Sequence, residues 1–166
     1  MYRSDQSSSS ARRYHVNFET TVEINAPLDT VWETLVDVDR WPEWTRSISA
    51  VKRLEEGAVG VGSRVRIKQP RMTALVWQVA EFEPGVSFTW RTASLGVTII
   101  GTHRLTRTND ERVSVTFGIR QSGALAPMIA LLTAARTKRY VQMEADGLKR
   151  RAEDGSAARD RSAPPE

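Results

Sequence analysis

From Ile48 to Gln121 apolar and polar residues alternate, and each break in the alternation is filled by turn-forming residues. From Ala126 to about residue 152 the apolar spacing becomes helical. This change of period constrains the fold more than any other feature of the chain. The alternation predicts strands over Ile48–Leu54, Arg64–Gln69, Leu75–Phe82, Val86–Thr92, Val97–Thr106 and Val113–Gln121. Gly57, Gly60 and Gly62, then Glu83-Pro84-Gly85, Ser94–Gly96 and Asn109-Asp110, supply the turns between them. Links this short join antiparallel neighbours, because parallel strands need long crossovers. Pro127 stands where a first helical turn tolerates proline, and no other proline follows until Pro164.

Ahead of this block, Val16–Asn25 reads as a strand with Phe18, Thr20, Val22 and Ile24 on one face. Ala26-Pro27 ends it. A helix begins near Leu28, with Asp29 suiting the positive end of its dipole and Val31, Trp32, Leu35 and Val36 as its apolar stripe. Trp41-Pro42-Glu43-Trp44 makes a second short helical turn, whose two indoles are expected to pack the short helices onto the sheet edge. The fold class that follows is α+β: a curved antiparallel sheet of about seven strands over a long C-terminal helix, with two short helices after the first strand. Such a sheet cannot bury its concave face on itself, so the helix covers it. A helix against a curved sheet packs well at its ends and less well in its middle, which leaves a cavity.

At 166 residues the chain is the size of one domain. Residues 1–13 and 154–166 are polar, small or charged and read as disordered tails around a domain spanning 14–153. The chain has no cysteine, which excludes disulfides and thiolate metal sites. Without an apolar signal core near the N-terminus, a cytoplasmic protein is expected. No apolar run approaches the length of a membrane span. The net charge is +4, but the basic residues lie in the tails or alternate along strands, as Arg64, Arg66 and Lys68 do. That is a solvated sheet face, so no nucleic-acid partner is expected. No zinc-protease, phosphate-loop or nucleophile-elbow motif is present, and no metal or cofactor is expected.

The ordered set Val22-Glu23-Ile24-Asn25-Ala26-Pro27, Val31-Trp32, Asp39–Trp44, Gly60–Arg66, Trp77-Gln78-Val79, Glu83-Pro84-Gly85, Phe88-Thr89-Trp90 and the terminal helix resembles the START-like, or SRPBCC, superfamily, in its polyketide cyclase/dehydrase-like branch. The resemblance covers about residues 16–152. It implies the helix-grip fold of START and Bet v 1-like proteins, with a deep pocket for lipids, polyketides or other apolar metabolites. It does not imply one activity, because the superfamily holds carriers, sensors, cyclases and chaperone regulators.

Strand parity points Val65, Ile67, Trp77, Val79, Phe88, Trp90, Ile99, His103, Phe117 and Gln121 into the concave face. On the helix, Ile129, Leu132, Tyr140, Met143 and Gly147 share the inward face, together with either Ala135 or Arg136. His103 is the most informative of these. It either packs as a satisfied histidine, contacts a ligand or acts as acid or base, and Gly101 removes bulk beside it. Tyr140 packs or lines the pocket with its hydroxyl partnered. Arg136 holds a ligand carboxylate or ketone, or reaches out to solvent. Glu81 shares the inward parity unless a bulge before Phe82 turns it outward. Gln69–Met72 is a candidate rim.

The leading expectation is a binder of a hydrophobic small molecule, working as monomer or homodimer. The alternatives are a polyketide cyclase, aromatase or dehydratase using His103, with Tyr140 and Arg136 as further candidates, and a lipid carrier or regulatory interaction module.

Overall fold

The computed structural model describes residues 15–94 and 96–162. The expected tail at 1–13 and the end of the second one, 163–166, lie outside the described residues. The elements run β1 (His15–Ile24), α1 (Leu28–Val36), a 3-10 turn (Val38–Arg40), α2 (Trp41–Trp44), β2 (Ala50–Arg53), β3 (Arg64–Lys68), β4 (Leu75–Glu83), β5 (Ser87–Ser94), β6 (Val97–Asn109), β7 (Arg112–Ser122) and α3 (Ala126–Ser162). The strands form one curved antiparallel sheet in the order β1-β7-β6-β5-β4-β3-β2. β1 therefore sits beside the last strand, and α1 and α2 lead the chain across to the opposite edge.

Two β-bulges interrupt the pairing, between Val79 and Glu81 in β4 and between Arg107 and Asn109 in β6. A bulge bends its strand and increases the local twist. The first one shifts the alternation, so that Val79 is buried and Glu81 faces solvent. This decides between the two orientations open for Glu81.

Helix α3 has two unlike halves. In the C-terminal half Val141, Ala145, Leu148 and Ala152 are buried at helical spacing against the sheet and the short helices. Gly147 lets the backbone of α2 approach: a Cβ there would meet the Trp44 carbonyl oxygen and ring. In the first three turns only Ala126 and Ala130 are buried, while Met128, Leu131 and Leu132, and Leu125 just ahead of the helix, are exposed.

The structure corrects the sequence reading of this helix at two points. Leu132, expected inward, is 77% exposed, and Met143 is only half-buried. The helix rests on its alanines, which allow closer approach than leucines would, and this turns the leucine stripe outward. The helix also continues past the expected end near residue 153 to Ser162. Small residues let this extension lie against α1, where Gly155 faces the Thr30 methyl group. The Arg159 guanidinium donates to Thr30 Oγ1 and to Glu33 Oε2, each at 3.0 Å.

A second tie joins the end of β1 to α3. Glu153 Oε1 accepts from the Asn25 backbone N–H at 2.8 Å and from Lys149 Nζ at 2.7 Å. Burial alone would raise the Glu153 pKa, but the Lys149 ammonium and the Asn25 N–H outweigh it and hold the carboxyl below its ordinary value.

Candidate functional site

A cavity of about 140 Å³ lies between the concave face of the sheet and α3. Its levels follow from strand register. His103 of β6 is paired with Phe88 of β5 and Phe117 of β7, Gly101 with Ile119 one level outward, and Ile99 with Gln121 two levels outward. Toward the core the wall is Trp41, Trp90, His103, Phe117, Val141 and Glu144. Toward the β3–β4 turn it is Ile67, Gln69, Met72, Trp77 and Tyr140. At the outer level Ile99, Gln121, Ile129, Thr133 and Arg136 complete it.

His103 is 4% exposed and sits in a cage of aromatic rings. It stacks on Phe88 with centroids 5.3 Å apart and planes at 16°. Phe117, Trp41 and Trp90 meet it edge-on at 5.2, 5.8 and 5.8 Å. Both ring nitrogens face acceptors: Nδ1 lies 3.3 Å from the Phe88 carbonyl oxygen, and Nε2 lies 2.9 Å from Glu144 Oε1. A neutral imidazole donates from only one nitrogen. Both contacts are therefore satisfied only when a proton lies on the Nε2–Oε1 axis, with Nδ1–H donating to Phe88. Glu144 lines the cavity, and its second oxygen has no hydrogen-bond partner among the described residues. The group this pair offers to a ligand is thus a carboxylate oxygen backed by the imidazole.

Gly101 does more than free space beside His103. A Cβ there would stand 2.5 Å from Trp90 Nε1, so the glycine admits the Trp90 indole to the cavity wall. Trp41 is fully buried beneath the sheet, where its indole N–H donates to the Leu35 carbonyl at 2.9 Å and its ring floors the cavity. Both indoles depart from the expected packing at the sheet edge: Trp41 lies under the sheet, and Trp44 packs against Gly147 of α3. The Tyr140 ring lines the cavity, and its hydroxyl donates to the Pro70 carbonyl at 2.7 Å. That hydroxyl is spent on pinning α3 to the β3–β4 turn, so Tyr140 closes the cavity and holds no free proton for chemistry. The same turn contains Arg71 at φ 59°, a left-handed conformation that costs a non-glycine residue energy and that the pinned turn maintains.

Arg136, and not Ala135, takes the inward position, and no ion pair of Arg136 is present among the described residues. Gln121 is 5% exposed, and its Oε1 is buried without a protein partner.

Of the side chains expected in the wall, Ile67, Trp77, Trp90, Ile99, His103, Phe117, Gln121 and Tyr140 line the cavity, as does Arg136. Val65, Val79 and Phe88 point inward but are packed solid in the core behind it. Leu132 and Met143 do not reach it, for the rotation of α3 described above. Glu144 was not among the expected residues, and neither were Thr133 and Thr137. The signal that marks them is polar: Arg136, Tyr140 and Glu144 follow one another at four-residue intervals and so share a stripe of the helix.

Among solved structures, the ZhuI aromatase/cyclase from Streptomyces sp. R1128 shares the fold at TM-score 0.66 and 20% identity, covering 90% of this chain and 98% of that one. Norcoclaurine synthase from Thalictrum flavum, in complex with dopamine and hydroxybenzaldehyde, matches at TM-score 0.68 and 11% identity, with 92% and 91% covered. The di-domain aromatase/cyclase BexL of the BE-7585A biosynthetic pathway matches at TM-score 0.63 and 17% identity, over 83% of this chain and 46% of that one. No curated protein matches the chain by sequence. The family model for polyketide cyclase/dehydrase and lipid transport proteins matches residues 15–153. The chain belongs to that polyketide cyclase/dehydrase and lipid transport family.

Proposed function

We propose that the protein binds a one-ring, carbonyl-bearing small molecule in this cavity and moves a proton on it, as in the dehydration that completes a cyclisation. The observation that carries this reading is the His103–Glu144 contact at the core end of the cavity. A packed histidine needs no carboxylate, and burying one is costly unless it is paired. The family's chemistry and the cavity size agree with it. A volume near 140 Å³ is comparable to the roughly 150 Å³ of cavities known to hold benzene.

The substrate class is a β-hydroxy ketone. The free oxygen of Glu144 takes the proton alpha to the carbonyl, the C–H pair becomes the C=C bond, and the β-hydroxyl leaves. Glu144 returns the proton to the departing oxygen, so the products are an enone and water. His103 acts as a positioning residue: it fixes the carboxylate and shares its proton. The aromatic cage keeps bulk water away from the transfer.

The test is turnover of 4-hydroxy-4-phenylbutan-2-one, followed by the ultraviolet absorption of the conjugated product. Glu144→Gln should keep ligand affinity within about threefold and lose turnover by about 10²-fold or more. Equal rates in the variant and the parent protein would refute the reading. Ligand binding with no dehydration in the parent protein would favour a carrier.

A further inference from the structure

We infer that the cavity takes its ligand as a free carboxylate, with Arg136 and Gln121 gripping the anion at the outer end while the ligand's other end meets Glu144. This rests on the cavity reading above and adds the class of ligand.

Arg136 and Gln121 both line the cavity outward of the His103–Glu144 pair. Arg136 precedes Glu144 by two helical turns, about 12 Å of rise along α3. Gln121 follows Phe117, the pairing partner of His103, by four strand residues, about 13 Å along β7. The helix and the sheet thus each carry a cavity-lining polar side chain outward of the His103–Glu144 pair by a similar rise along its own element. The wall between the two poles carries Trp77, Ile119 and the Tyr140 ring, whose hydroxyl is turned away to Pro70.

Arg136 lacks the partner that a carboxylate supplies, and Gln121 can be turned to present its N–H to the same anion. Other arginines without an ion pair among the described residues, such as Arg66, Arg91 and Arg120, stand exposed on strands. Arg136 instead faces the cavity half-buried, and no ion pair of it is present among the described residues. Guanidinium is the side chain best matched to a planar carboxylate. Glu144 is too far along the helix to neutralise it. Gln121 is more than nine-tenths buried, and its Oε1 is buried with no hydrogen-bond partner among the described residues. A side-chain amide turns over readily, so it can present N–H to an anion's oxygen. One end of the ligand is therefore charged, and the apolar wall admits no second charge beside the ring.

The test compares 5-phenylpentanoate with its methyl ester, which has the same ring and chain without the charge, by quenching of the cavity tryptophans. The parent protein should bind the acid at least about tenfold more tightly than the ester. Arg136→Gln should bring that ratio near one by weakening binding of the acid, and a thermal midpoint close to the parent's reports that the variant is folded. Arg136→Lys should restore part of the preference. Equal affinity of acid and ester in the parent protein, or a preference that survives Arg136→Gln, would overturn the inference while leaving the cavity reading intact. Failure of both probes to bind would overturn the two together.

Discussion

His103 Nε2 and Glu144 Oε1 lie 2.9 Å apart although 41 residues separate them in sequence, and their contact joins the middle of β6 to α3. The pair closes the core end of the cavity inside rings contributed by α2, β5 and β7. Removing one partner leaves a buried polar group unmatched. Glu144→Ala is expected to cost about 1–3 kcal/mol. Glu144→Gln should cost much less, because its amide can donate to Nε2 while Nδ1–H still donates to Phe88. Urea unfolding at neutral pH separates the two variants.

Gly101→Ala tests the wall. The added methyl would stand 2.5 Å from the Trp90 indole nitrogen, and Trp90 is itself hemmed in by Trp41, Trp77 and Phe88. A rigid indole among rings cannot yield as a flexible chain end would. The expected cost is about 1–3 kcal/mol, read as a lower thermal midpoint, together with weaker binding of any ring that rests on Trp90.

Gly147→Ala sets helix propensity against packing. Alanine in a helix is worth about 1 kcal/mol over glycine. Here its methyl would strike the Trp44 backbone carbonyl, so α2 and α3 must separate. The clash should win, and the variant should be less stable in a denaturant titration. A stabilised variant would show that α2 is not held where described.

Glu153 gives the fold a dependence on acid. Its folded pKa lies below the ordinary value of 4.5. The stabilisation it contributes is therefore fully present above that value and is lost as pH falls through the folded pKa. The group is partly exposed, so the contribution is about 1 kcal/mol or less. Glu153→Gln should be less stable than the parent at pH 7, and the gap should close below about pH 4.5. Unfolding curves at pH 7 and in that acidic range measure both.

The sheet was legible in the sequence because a period of two leaves each side chain only two directions. Trp77, Trp90, His103, Phe117 and Gln121 all fall on the concave side as parity places them, and only the bulge at Ala80 breaks the rule, turning Glu81 out. The helix was less legible. An apolar stripe through Leu132 and Met143 suggests the buried face, yet α3 approaches the sheet on Ala126 and Ala130, and its leucines face solvent. Large apolar residues mark a buried face only when the partner surface has room for them. Glu144 could not be found from α3 alone, because an inward carboxylate makes sense only opposite the imidazole that β6 supplies. The extension to Ser162 is held by Arg159 on α1, a contact between chain ends that no local pattern shows.

The central claim is that Glu144 removes a proton from a ligand held in the cavity. Proton NMR of 4-phenylbutan-2-one in deuterated buffer tests it without requiring a complete reaction. The parent protein should accelerate exchange of the protons alpha to the ketone, and Glu144→Gln, still binding the ketone, should not. Exchange at the uncatalysed rate in both proteins, or equal acceleration in both, would contradict the claim.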